Sequence, residues 1–454
     1  MGAKQYEIDM SKGSIFKNLI KFSVPLMLTS ILQLLYNAAD IIVVGRWTGA
    51  KALAAIGATS SLYALLINVF LGLSVGIGVV VSKKYGARDD EGLKATSHTA
   101  VLMGIIVGFI TLFAGVLFCR PLLFLMATPP DVIDLSVIYM RIIFVGMPAF
   151  MLYNFGAAVL RSVGDTKRPL YVLIITGVIK VILNVFFVSG LNLGVVGVAA
   201  ATIIVNLLSA LAIMYILMFS DAPYRIRLRD LKLNKGEVVE IIKIGLPAGL
   251  QSGLFSLSNM VIQSAINSLG TAAIAGNSAA YNIECFIYAA MTAFYQGTLT
   301  SVSQNYGAKQ EKRIYKTVCT AIACASVTAV LLGVVSVIFA KPLLGIYITD
   351  SPEAIDFGVQ RMIIVHLPYF LVAIMEQLAG LLRGVGNSVL PAVNVFLSTC
   401  VLRVLWVFYI FPINPSMYTL YACYIPSWAL SIVLHFTAFM VIRKKTIISM
   451  YSEQ

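Results

Sequence analysis

Residues 160–169 read LRSVGDTKRP, and residues 382–391 read LRGVGNSVLP. Each follows a long apolar run with an arginine, a Val-Gly turn and a closing proline, and the two begin 222 residues apart. Working outward from them, YGARDDE at 85–91 returns as YGAKQEK at 306–312, and RPLL at 120–123 returns as KPLL at 341–344. Pro25 pairs with Pro247, Asn37 with Asn259, and Pro148 with Pro368. The offset drifts by only a residue or two around 221, so these are corresponding positions of a duplicated unit.

What is duplicated is a set of membrane helices. A helix needs about 20 apolar residues to cross a bilayer. Twelve runs qualify, roughly 22–45, 52–82, 95–119, 136–160, 169–190, 194–219, 244–268, 274–303, 317–340, 358–382, 388–411 and 418–442. They are continuous and lack the alternation of barrel strands. The 454 residues are 59% apolar and only 12% charged, against about 25% charged for a soluble protein. A soluble enzyme and a disordered chain are both excluded. The reading is an all-α polytopic membrane protein of twelve transmembrane helices in two pseudo-symmetric six-helix bundles. The expected organisation is an N-lobe over 1–220, a polar linker over 221–243 and a C-lobe over 244–454.

Charge sets the expected orientation. With the N-terminus placed in the cytoplasm, 25 of the 33 Lys and Arg fall in cytoplasmic segments and only Arg46, Lys51, Arg120 and Lys341 on the other side. That is the positive-inside pattern, so the net charge of +13 is a topology and lipid-headgroup signal and not a nucleic-acid footprint. The protein is expected in the inner (cytoplasmic) membrane, as a monomer, with both termini cytoplasmic. The N-terminus lacks a short apolar core with a cleavage site, so no removed signal peptide is expected. The six cysteines form no CxxC pair and read as packing residues. His98, His366 and His435 sit on separate runs, and no metal site or cofactor is expected. Membrane-embedded transferase chemistry would need clustered His/Asp or an acidic metal motif, so the chain is not read as an enzyme. The glycines of LGLSVGIG at 71–78 suit close helix packing.

Six helices per half is an even number, so the halves are parallel repeats about an axis along the membrane normal. Such repeats carry transporters that work by alternating access. Charges inside the membrane are costly and mark function by default; Asp40, Lys180, Glu284, Glu376 and Arg403 stand well inside the runs. Gln33, Tyr36, Asn37 and Asp40 share one helical face, with Pro25 as a hinge point one to two turns before it. Lys180 is the expected partner of Asp40, with Asn184 on the next turn of the same face. Arg403 occupies the place equivalent to Lys180, with Glu284 and Glu376 as its possible partners and Glu376 favoured as a cavity-lining carboxylate. Arg141 and Arg361 read as snorkelling to headgroups from helix starts.

These motifs, together with GVVGVAAAT at 194–202, resemble the multidrug and toxic compound extrusion (MATE) family over nearly the whole chain, most of all its bacterial members. The resemblance implies export of organic cations and amphipathic drugs in exchange for protons or sodium ions. It further implies that Asp40 is the helix 1 coupling acid and that Thr202 belongs to the same N-lobe site. The chain departs from the pattern twice: Asn184 stands where some members carry aspartate, and Lys180 where they carry asparagine. An ammonium there would compete with sodium for Asp40, so proton coupling is expected. Two alternatives remain: a sodium-coupled exporter using the C-lobe acids Glu284 and Glu376, and a lipid-linked precursor flippase of the same superfamily.

Overall fold

The computed structural model describes residues 5–126, 128–349 and 351–451. Of the charges used for orientation, Lys4 and the side chains of Lys51, Lys444 and Lys445 lie outside that description. The described residues are mostly helical, with no strand among them. In chain order the α-helices are α1 (Ile15–Trp47), α2 (Ala50–Ala87), α3 (Asp90–Leu125), α4 (Pro130–Val145), α5 (Met147–Ser162), α6 (Lys167–Val185), α7 (Gly194–Met218) and α8 (Lys235–Asn267). There follow α9 (Thr271–Gly307), α10 (Glu311–Ile338), α11 (Ala340–Gly345), α12 (Pro352–His366), α13 (Phe370–Gly384), α14 (Val389–Val395), α15 (Leu402–Leu405), α16 (Met417–Ala422) and α17 (Tyr424–Tyr451).

Among the described residues, ten helical segments are long and apolar enough to cross a membrane, and α4 with α5, bent by 48°, makes an eleventh. The twelfth rod is α9, 37 residues long. Its polar residues are tolerated because that helix is packed by α10, α12 and α13 and buries Asn277, Thr298, Gln304 and Asn305. The result is the twelve-helix, two-lobe architecture that the sequence predicts, and the protein is a multi-pass membrane protein.

Breaks in the rods have local causes. Pro148 sits at the α4–α5 bend, and its repeat partner Pro368 lies in the 3-10 turn Leu367–Tyr369 between α12 and α13. Proline lacks the donor that a continuous helix needs. The repeat is also written in the backbone. Arg88 and Lys309, at the same place in the two YGA turns, are both left-handed (φ 59° and 56°), as are Gly164 and Gly386 (φ 89° and 91°). Asp89 caps α3 by accepting from Gly92 N at 2.8 Å.

The chain forms two compact units, one of residues 1–9 and 28–249 and the other of residues 10–27 and 250–454. It passes between them after Asp9, again within α1 and again within α8, the last two passages lying three residues beyond a repeat proline, Pro25 or Pro247. In the first unit α2 crosses α8 backbone to backbone. A Cβ on Gly72 would strike Gly249, and one on Gly76 would strike the Ile241 carbonyl. Small residues permit this approach. Glu7 accepts from Tyr224 Oη at 2.9 Å and Tyr85 Oη at 3.2 Å. In the second unit the core gathers Ile262, Met291, Phe294, Tyr369, Tyr421 and Trp428.

Candidate functional site

The first unit brings one acid, one base and one amide together. Asp40 is on the part of α1 that belongs to this unit, and Lys180 and Asn184 lie a turn apart on α6. Lys180 Nζ lies 2.6 Å from Asp40 Oδ2, and Asn184 Nδ2 donates to Asp40 Oδ1 at 2.6 Å. Side-chain exposure is 19% for Asp40 and 13% for Lys180, so the pair is largely withdrawn from solvent. Asn184 is fully buried, and its Oδ1 accepts no hydrogen bond among the described residues.

One turn earlier on both helices, Tyr36 lies against Gly177, and a Cβ at Gly177 would collide with the phenol ring. Tyr36–Gly177 and Asp40–Lys180 thus form two successive rungs between α1 and α6. The other members of the expected face do not share this contact, for Gln33 and Asn37 are exposed. Thr202 is half-buried on α7, and its hydroxyl donates to Val198 O at 2.9 Å, turned onto its own helix and making no bond to Asp40. Pro25 stands inside an unbroken α1.

The second unit arranges its charges differently from the expectation. Glu284 pairs with Arg361, not with Arg403: Arg361 Nη2 lies 2.5 Å from Glu284 Oε2, and Tyr369 Oη donates to Glu284 Oε1 at 3.3 Å. Arg361 does not snorkel. It is 3% exposed, with its guanidinium carbon 5.6 Å from the Tyr281 ring centroid and 5.4 Å from that of Tyr421. The reason is the length of α12, which begins at Pro352 and carries Arg361 into its third turn.

Arg403 has no carboxylate partner among the described residues. Its guanidinium carbon lies 3.9 Å from the Tyr424 ring centroid, and its Nε donates to Ser427 Oγ at 3.2 Å. That ring supplies an electrostatic counterweight. Glu376 is half-buried and makes no ion pair among the described residues, while Tyr288, Tyr295 and Arg383 lie within electrostatic reach of it. Arg383, which the sequence reading assigned no role beyond its share of the positive-inside count, is buried and donates to Tyr295 Oη and Gln251 Oε1, both at 2.6 Å. Its place in the repeated LRxVG motif was the available signal.

The MatE family model matches residues 25–186 and 247–408, two segments offset by the repeat spacing and each beginning at a repeat proline. The chain is 30% identical over 84% of its length to the probable multidrug resistance protein YoeA of Bacillus subtilis, covering 84% of that protein. It is 24% identical to the multidrug export protein MepA of Staphylococcus saprophyticus, covering 83% of this chain and 80% of that one. In fold it is similar to a solved outward-facing multidrug resistance MATE transporter of the MOP superfamily, with a TM-score of 0.87, 21% identity, and 97% and 98% of the two chains covered. With the family model matched in both halves, this chain belongs to the MatE family of multi-pass membrane transporters.

Proposed function

We propose that the chain is a secondary antiporter that exports lipophilic or cationic organic compounds by alternating access in exchange for protons, with Asp40 as the coupling carboxylate. The multidrug resistance and export relatives support the cargo class. One observation carries the choice of ion. The Lys180 ammonium stands 2.6 Å from Asp40, in the place that a sodium ion would need. The Asn184 amide takes the second carboxylate oxygen, so no open anionic cradle is left. A proton, unlike a metal ion, needs no cradle.

In this reading protonation of Asp40 removes the attraction to Lys180. The neutral acid then needs an acceptor for its O–H, and Asn184 has one, since turning its amide presents the otherwise unused Oδ1. Asn184 therefore serves both protonation states while Lys180 serves only the ionised one. The rung that depends on charge opens, and the outer part of α1 is freed to move about Pro25. Both termini are assigned to the cytoplasm, the chain to a monomer, and membrane lipids to its basic segments. No cofactor enters the cycle.

The sodium alternative through the second unit is weakened by the Glu284–Arg361 pair, which leaves Glu376 as the one acid of that pair of candidates without an ion partner among the described residues. The test is efflux of a fluorescent organic cation from everted vesicles under separately imposed pH and sodium gradients, with wild type and Asp40→Asn. Transport driven by the pH gradient and lost in Asp40→Asn supports the reading. Transport driven by sodium alone, or retained in Asp40→Asn, overturns it. Binding of a lipid pyrophosphate in place of the cation would favour the flippase.

A further inference from the structure

The segment before α8 is tied to α3 through a histidine whose two ring nitrogens are both committed. His98 is 2% exposed. Its Nδ1 lies 2.8 Å from the Lys94 carbonyl, and its Nε2 lies 3.1 Å from the backbone N of Arg227. A carbonyl only accepts and an amide N–H only donates, so these partners fix the tautomer: Nδ1 carries the proton and Nε2 is a bare acceptor. All of these groups belong to the first unit.

We propose that His98 is a second proton site, separate from Asp40, that holds the linker residues 227–233 against α3 while neutral and releases them when protonated. A proton on Nε2 would point an N–H at the N–H of Arg227. Donor would face donor, and the amide of Arg227, an exposed residue, would lose its acceptor on His98 and turn to solvent. Three charged groups stand near it. Lys94 precedes His98 by one turn on α3, and Arg227 is on the linker. The acid in electrostatic reach, Asp230, is already engaged by Lys94 Nζ at 2.7 Å.

The remaining ties explain why this one matters. Upstream the linker is anchored by buried Tyr224 and Ile226, the latter bonded to Leu217 O at 3.1 Å. Downstream Asn234 N donates to Thr99 Oγ1 at 3.2 Å, and Asn234 Oδ1 accepts from Gly236 N. Between them residues 227–233 are exposed apart from half-buried Leu231, and the Lys94–Asp230 pair is an exposed one of small net value. His98 is therefore the buried clasp on the stretch of chain that leads into α8. Under the orientation assigned above, the pH it reads is that of the cytoplasm, which a proton-importing antiporter acidifies.

The test is amide hydrogen exchange by mass spectrometry on the full chain in lipid nanodiscs at pH 7.5 and 5.5. Rates are corrected for intrinsic exchange, and neither substrate nor gradient is present. Protection at residues 227–233 should fall by roughly five- to tenfold at pH 5.5, about the worth of one hydrogen bond, while the core of α3 stays protected. His98→Gln, which does not titrate, should show no pH dependence, and His98→Phe, which offers no acceptor, should be unprotected at both values. Equal protection of the wild type at both values, or the same fall in His98→Gln, overturns the proposal. The readout needs no transport, so it stands or falls apart from the choice of coupling ion.

Discussion

Removing either member of the Asp40–Lys180 pair should destabilise the first unit more than removing both. At 2.6 Å and an effective dielectric of about 20, the attraction is about 6 kcal/mol before desolvation is charged against it. Orphaning one member of a fully buried pair costs about 3–5 kcal/mol. The 13–19% exposure of these side chains admits some water, which brings the expected cost of Lys180→Met or Asp40→Asn down to about 2–3 kcal/mol. The double variant leaves no orphaned charge and should cost about 1–2 kcal/mol, a coupling energy of roughly 3–4 kcal/mol. For a unit of this size that is an apparent Tm about 4–12 °C lower for each single variant, with the double above both. The assay is thermal unfolding of the purified protein in detergent at pH 7.5, the four species side by side. A double variant that loses the sum of the singles would mean that the two groups share no energy, and the charge-dependent rung would fall with it.

Three further outcomes are expected. Glu284→Gln should cost about 3–5 kcal/mol because it leaves Arg361 buried and uncompensated, and adding Arg361→Met should recover most of that in the same melting assay. Gly76→Ala should lower stability by roughly 1–3 kcal/mol, since its methyl meets the α8 backbone at Ile241, whereas Gly57→Ala, with open space around it, should cost nothing measurable. Asp89→Ala should remove the α3 cap at about 1 kcal/mol. The Gly92 N–H, and then Lys84, hold the Asp89 carboxyl below its ordinary value. The cap's contribution is therefore complete above about pH 4, the unfolded value, and is lost as pH falls through the folded one, which a pH series of melts on wild type and Asp89→Ala reads directly.

The first unit's pair was legible because an acid alone in an apolar helix must find an opposite charge, and Lys180, backed by Asn184, was the base well inside that half. The second unit offered no such economy. Glu284, Glu376 and Arg403 admitted several pairings, and the true partner Arg361 was set aside because the apolar run begins at 358 while its helix begins at Pro352. Helical-face arithmetic grouped Gln33, Tyr36, Asn37 and Asp40 correctly as one stripe but could not say which part of the stripe meets α6. That depended on the notch at Gly177, which a single sequence does not connect with Tyr36. The π-helical stretches Phe396–Val401 and Trp406–Ile410, on either side of α15 and its Arg403, have no periodicity signature that distinguishes them from the α-helix they interrupt.

The repeat separates what builds the fold from what gives it a direction. Positions that shape the backbone are held in both halves: the prolines at 25 and 247, the left-handed residues at 88 and 309, and the glycines at 164 and 386. The carboxylates inside the membrane helices are not. The residue equivalent to Asp40 is Ile262, 3% exposed, and the residue equivalent to Glu376 is Asn154, whose amide is spent on its own helix at Phe150 O. Lys180 has a counterpart in Arg403, but the counterpart has lost its carboxylate and rests on an aromatic face instead. Two copies of the same six-helix design therefore answer a proton differently. Protonation of Asp40 removes an ion pair from the first unit, and Ile262 leaves the equivalent place in the second with no carboxylate to titrate. An ion gradient can drive a transporter only through a site that binds the ion differently in its two conformational states, and the proposed cycle places that difference at the Asp40–Lys180 pair, whose carboxylate has no counterpart in the second unit.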